Sequence, residues 1–330
     1  MSKNHLRTLI VEPDDTVQAV VSLVAAATRS IDVKQFTLDE PHLVQALIEA
    51  HRRGLAVRVM LNPHRSSGSR ANDESFKAFE QASVPVQWSN PAFAVTHEKS
   101  MVMDGARALV ATFNFSDKYF TETRDYGVVT TDPAQVAQVA LGFQADWNRS
   151  GFQPDERTGL LWSTANSRRL MAHFIDGARK SLWVQHPKFV DATVLARLVD
   201  AHARGVHVKI LCGGKHGISD TDIPDTFSSL RILDRVGVRV HRQKHPKLHA
   251  KLLIADDQRA QIGSMNIDRS AFDVRRELGI VLDDEPLVSR LSQLFAHDWD
   301  ASHRWEAPDP LAPPVHDPDE LPHDPHFIHD

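Results

Sequence analysis

A single cysteine, Cys212, stands among the 330 residues, so no internal disulfide can brace the chain, and a reducing compartment suits it. No stretch approaches eighteen uncharged apolar residues, which argues against a membrane-spanning helix. The opening "MSKNHLRTLIVEPDDT" lacks the apolar segment of a secretory signal. A cytoplasmic location, with at most peripheral contact to a membrane, is therefore expected. An excess of positive charge is missing too. The 38 Lys and Arg against 43 Asp and Glu leave a net charge of −5, which argues against a broad field for nucleic acid while leaving room for a local basic cleft. What the chain does hold is 42% hydrophobic residues, ordinary for a globular protein of about two domains, and 19 histidines that call for sorting.

An internal repeat organises the sequence. "EAHRRGLAVRVML" (49–61) aligns with "DAHARGVHVKILC" (200–212) at an offset of 151. "RDYGVV" (124–129) aligns with "RELGIV" (276–281), and "FQADW" (143–147) with "FAHDW" (295–299), each at 152. Each copy reads as an amphipathic helix, a short β-branched strand, a second helix closed by Gly54 or Gly205, and another strand. In the first copy the leading helix, "PDDTVQAVVSLVAAATRS", is expected to be capped by Asp. Helices alternating with buried strands predict an α/β fold whose sheets are covered on both faces. The expected units are residues 1–154 and 155–306, followed by a tail, 307–330, with seven prolines and no periodicity, read as disordered or loosely docked.

The same offset relates two octets, "HEKSMVMD" (97–104) and "HAKLLIAD" (249–256). Behind them come Ala111, Thr112 and Asn114 in one copy and Gly263, Ser264 and Asn266 in the other. Residues i and i+2 of a strand share a face, so His97 lies beside Lys99 and His249 beside Lys251, and the next strand returns Asn114 or Asn266 to them. A lone pair of this kind is usually a wet edge. Two in register predict two faces meeting about a pseudo-twofold axis, with lysines compensated by an anion, most naturally a phosphate. Asp104 and Asp256 fall in the opposite strand phase next to turns and are read as scaffold. Asp125, twenty-eight residues after His97, and Glu277, twenty-eight after His249, are expected to orient the imidazoles. Lys215, His216, His245 and Lys247 are candidates for the mouth of the pocket.

The paired H-x-K-x4-D blocks, each followed by the G-S-x-N positions, resemble the phospholipase D superfamily, which includes phospholipases, cardiolipin and phosphatidylserine synthases and some nucleases. The first copy departs from the pattern in having Ala111-Thr112 where the second has Gly263-Ser264. The resemblance implies two tandem domains, each a mixed β-sheet flanked by helices, sharing one site within a single chain, so that no oligomer is required. It implies a phosphohistidine route with no metal or other cofactor. His97 would be the nucleophile and His249 the acid/base, with Lys99, Lys251, Asn114 and Asn266 stabilising charge and Thr112 and Ser264 supporting them.

For the substrate, Trp88, Phe93, Phe113, Phe115, Tyr119 and Phe120 cluster around the first motif in sequence. They are expected to form an apolar rim suited to a phospholipid at a membrane surface. A nuclease acting on DNA or RNA is the alternative, because aromatic rings also stack on bases. A non-catalytic phosphate-binding module is a lesser one.

Overall fold

The computed structural model describes residues 6–64 and 68–312. Most of the tail read as disordered or loosely docked lies outside the described residues. Its first residues are docked: Ala307 is buried in the second half's core, and its carbonyl accepts from Arg231 Nη1 at 2.9 Å.

Two eight-stranded mixed sheets carry the fold. The first orders its strands Arg7–Glu12, Thr123–Thr130, Arg107–Ala111, Ser100–Met103, Ser30–Gln35, Ala56–Leu61 and Val86–Trp88, with Lys247–Leu248 added beside Thr123–Thr130. The second orders them His303–Arg304, Arg239–Arg242, His207–Cys212, Ser181–Gln185, Leu252–Ala255, Arg259–Gly263, Leu278–Leu282 and Leu160–Trp162. Within each half the parallel pairs are those joined through helices, as in Ser30–Gln35 with Ala56–Leu61 across Pro41–Arg52. Such a connection needs a left-handed residue where the helix stops, and Gly54 (φ +96°) and Gly205 (φ +87°) supply it.

The sheets are apolar on both faces, as expected for strands that are covered twice. The first sheet's outer face meets helices Thr16–Ala25 and Pro41–Arg52 through Val20, Leu43, Leu47 and Val59. In the second sheet, Leu182, Val184 and Ile210 meet Val194 and Leu198 of the helix Ala192–Ala203 in the same way. Between the sheets lies a third core, in which Val110, Tyr126 and Val128 face Leu252, Ile262, Leu278 and Ile280, closed by Val139 and Phe295 of the long helices Pro133–Trp147 and Glu285–Asp300. No helix among the described residues is long and apolar enough to cross a membrane.

One local expectation fails. Asp15 precedes the first helix but makes no side-chain cap; its carboxylate turns back to accept from Val11 N–H at 2.8 Å, while Thr16 adopts a positive φ of 58°. The carboxylate is spent on closing the strand-to-helix turn.

Candidate active site

Strand exchange between the halves builds the site. Val95–Thr96, just before His97, pairs in parallel with Arg275–Arg276 of the second half. Lys247–Leu248, just before His249, pairs in parallel with Thr123 and Arg124 of the first. The backbone bonds continue past each pair, from His97 and Glu98 N–H to Arg276 O and from His249 and Ala250 N–H to Arg124 O. His97 and Lys99 thus sit in the extended lead-in to the strand Ser100–Met103, and His249 and Lys251 in the lead-in to Leu252–Ala255.

This exchange decides which carboxylate each imidazole meets. His97 Nδ1 lies 2.9 Å from Glu277 Oε2, and His249 Nδ1 lies 2.8 Å from Asp125 Oδ1. The partners are exchanged: each histidine is held by the acid of the other copy, not by the one twenty-eight residues along its own. All four side chains are buried. A carboxylate on Nδ1 fixes the tautomer with its proton there and directs Nε2 to chemistry.

The remaining motif residues lie against these pairs. Lys99 Nζ donates to His97 O at 2.8 Å and lies 5.1 Å from the Phe36 ring centroid, and Phe36 meets the His97 ring edge-on at 4.9 Å. Lys251 Nζ lies 2.8 Å from His249 Nε2. Ala111 N–H bonds to Lys99 O, and Gly263 N–H to Lys251 O, so the strands bearing the Asn residues lie against the lysines. Thr112 Oγ1 donates to Asp125 and accepts from Tyr126 N–H; Ser264 Oγ accepts from Leu278 N–H at 3.1 Å, the residue after Glu277. The hydrogen bonds thus tie Thr112 and Asp125 of one half to His249 of the other, and Glu277 of the second half to His97 of the first. Asn114 and Asn266 are buried on the loops that follow, and Asn266 Oδ1 accepts no hydrogen bond among the described residues.

The Ala-for-Gly departure in the first copy leaves the turn intact. At Gly263 an added Cβ would come within 2.6 Å of Gly279 Cα, so that copy needs glycine, whereas Ala111 is accommodated and buried in the first core.

Asp104 and Asp256 are engaged elsewhere. Asp104 accepts from the backbone N–H groups of Thr28, Arg29 and Ser30, and Asp256 from those of Arg179, Lys180 and Ser181. Burial opposes ionisation at both, but the three amides outweigh it and hold each carboxyl below the usual aspartate range. Each clamps the start of an inner strand, Ser30–Gln35 or Ser181–Gln185, which pairs with the strand that follows a motif lysine.

Several partners carried no sequence signal as site residues. Arg124 pairs with Asp298 at 2.9 Å and Arg276 with Asp146 at 2.8 Å, so each arginine beside a site acid is anchored in the other half's long helix. Lys34 joins Asp146 at 2.6 Å and Glu98 at 3.0 Å, a buried cluster of two cations and two anions beneath His97. The Arg-Asp and Arg-Glu dipeptides at 124 and 276 were the available signal, although sequence alone does not give their partners. Lys247 reaches Glu122 at 2.8 Å.

The aromatic rim expected from the sequence is not formed. Phe113, Phe115, Tyr119 and Phe120 are buried in the first core, Trp88 stacks on Phe76 at 4.0 Å, and Phe93 lies under the Arg276 guanidinium at 4.9 Å. Tyr119 alone of these packs on a site residue, its ring 4.6 Å from that of His249. These side chains earn their positions by burial, and the apolar-rim argument for a lipid falls.

Comparison with known proteins gives a coherent picture. The family described as cardiolipin synthase, PLD-like domain, matches residues 20–147 and again 171–299. Cardiolipin synthase A of Pseudomonas entomophila is 26% identical over 94% of this chain and 71% of its own length. A cardiolipin synthase of Staphylococcus aureus is 26% identical over 72% of this chain, and only 52% of that protein is spanned. Among solved structures, phosphatidylserine synthase of Haemophilus influenzae superposes with a TM-score of 0.72 over 92% of this chain and 88% of its own, at 14% identity. Polyphosphate kinase of Porphyromonas gingivalis reaches the same TM-score over 91% of this chain and 48% of its own, at 18% identity, a likeness of fold.

Proposed function

The chain belongs to the cardiolipin synthase, PLD-like domain family, and on that premise we propose that it is a phospholipid phosphodiesterase or phosphatidyltransferase working through a phosphohistidine. The observation that supports the mechanism is the pair of buried carboxylate-to-Nδ1 contacts at 2.9 and 2.8 Å, which turn each Nε2 away from its carboxylate. The two units proposed, residues 1–154 and 155–306, each contribute one His-Lys pair, and the phospholipid would be met at a membrane surface.

His97 Nε2 attacks phosphorus, the P–N bond forms, and the P–O bond to the leaving alcohol breaks. His249, protonated, passes its Nε2 proton to the departing oxygen. An acceptor alcohol or water then gives its proton to His249 Nε2 and attacks phosphorus; the P–N bond breaks and His97 is restored. Lys99, Lys251, Asn114 and Asn266 hold the charge on the non-bridging oxygens, a role that positioned donors in a closed site perform without a metal. In the substrate-free arrangement Lys251 bonds to His249 Nε2; a bound phosphate gives that ammonium a stronger acceptor.

The test incubates purified protein with phosphatidylglycerol, phosphatidylcholine and, separately, single-stranded DNA, with a primary alcohol added to reveal transfer. Lipid turnover and an acid-labile phosphoenzyme are expected, both lost in His97→Ala and both insensitive to EDTA. Turnover surviving in His97→Ala, or cleavage of DNA alone, would overturn the reading.

A further inference from the structure

Glu12 is a buried acid that the mechanism above leaves unused. It ends the strand Arg7–Glu12, and in the antiparallel register it stands directly opposite Asp125, the carboxylate that holds His249. Directly opposed residues of an antiparallel pair point to the same face with Cβ atoms about 4.5–5.5 Å apart, and like charges so placed repel. Asp125 is the acid supplied with donors: His249 Nδ1, Thr112 Oγ1 and Thr123 Oγ1, the last at 2.6 Å. Glu12 has no exposed surface, and neither of its carboxyl oxygens has a hydrogen-bond partner among the described residues. Two carboxyls so placed resist a second ionisation, and the one with the fewer donors keeps the proton.

The charged surroundings agree. Asp14 and Asp15 of the following turn are both acidic. Across the sheet, the Arg124 guanidinium donates to the Glu12 main-chain carbonyl at 3.0 Å but is committed to Asp298 of the long helix. Beyond Asp125 comes the His249 imidazole. Burial first, then the charge of Asp125, push the Glu12 carboxyl up to about 8, with Asp15 and Asp14 adding to the shift and only the Thr16 amide opposing it. The second copy has no such pair: Ser163 takes the place opposite Glu277, and its hydroxyl is engaged with the backbone, donating to Arg275 O and accepting from Glu277 N–H at 2.7 Å.

We propose that Glu12 is a positioning residue for the His249 acid/base, a protonated carboxyl set behind the aspartate that holds the imidazole. It acts through Asp125. With Glu12 neutral, Asp125 carries the single charge that His249 feels; once Glu12 ionises, a second negative charge stands behind Asp125 and the imidazolium is held more tightly. The alkaline limb of activity is thereby carried to higher pH than a lone Asp-His pair would reach. The inference rests on His249 being the acid/base, and the two NMR measurements that follow do not need turnover.

The carboxyl carbon of Glu12, followed by NMR in the unmodified protein, is expected to report a protonated acid at pH 7. The His249 ring, followed in the same samples, is expected to show a chemical-shift step that tracks the Glu12 carboxyl and disappears in Glu12→Gln. In phospholipid turnover the alkaline limb of Glu12→Gln should fall about one pH unit lower. A Glu12 already ionised at pH 7, or a His249 titration identical in the two proteins, would overturn the proposal even if lipid turnover were confirmed. Absence of lipid turnover with the two-step titration present would instead overturn the proposed reaction and leave the carboxyl pair standing.

Discussion

His249 is held by an aspartate that carries three donors and faces a second carboxyl, whereas His97 is held by a glutamate whose Oε1 has no partner among the described residues and which faces a serine. The backbone of the two clusters is the same down to the register of the crossing strands. Divergence is confined to side chains that set charge and proton count. A duplicated frame thus supports two unlike imidazoles, and the one surrounded by exchangeable protons is the one proposed for acid/base work.

The largest effects should come from the acids themselves. Asp125→Asn and Glu277→Gln each leave an imidazole without its carboxylate, and kcat is expected to fall by about 10²–10⁴. Rapid-quench trapping sharpens the contrast: Glu277→Gln should slow formation of the phosphoenzyme, and Asp125→Asn should slow both formation and breakdown. Identical kinetics in the two variants would erase the distinction between nucleophile and acid/base.

Next come the cross-braces. Arg124→Met strips Asp298 of its only cation among the described contacts and should cost about 3–5 kcal/mol in denaturant unfolding. Arg276→Met should cost less, because Lys34 stays 2.6 Å from Asp146. The reverse order would show that Lys34 is committed to Glu98.

A smaller effect concerns pH. A carboxyl raised in the folded state causes no penalty below its unfolded value near 4.5, a growing one as pH rises, and the full one above about 8. Glu12→Gln should therefore match the unmodified protein at pH 4 and be the more stable by a few kcal/mol, roughly, at pH 9. Parallel stability curves would break the account of Glu12. Smallest and symmetric should be Asp104→Ala and Asp256→Ala, each about 1–3 kcal/mol from unpaired strand-entry amides. Both carboxyls are depressed, so their contribution is present above the ordinary aspartate value of 3.8 and is lost as pH falls through the lower folded one. A thermal-melt series from pH 7 to 2 checks it, and unequal losses would show the clamps to be unlike.

Sequence periodicity and the repeat made the layered α/β fold and both motif blocks legible, since each depends on local spacing. The exchange of partners did not show, because the contacts span 180 and 124 residues while the tempting spacing was twenty-eight. Two-residue strands made the difference, and nothing in "VT" or "KL" announces them. The aromatics were misjudged because nearness in sequence to a motif says little about which sheet face a ring takes. Glu12 was within reach: the repeat offset sets it over Ser163, and a carboxyl over a hydroxyl beside a motif acid is a visible irregularity.

The crossing strands also impose an order in time. Made from the N-terminus, the chain presents His97 long before Glu277 exists, and Asp125 before His249. A nascent chain thus carries the proposed nucleophile without its carboxylate until most of its length has emerged and the second half has folded against the first. Catalytic competence then arrives late and all at once, so a truncated product ending short of residue 277 would be inert rather than partly active.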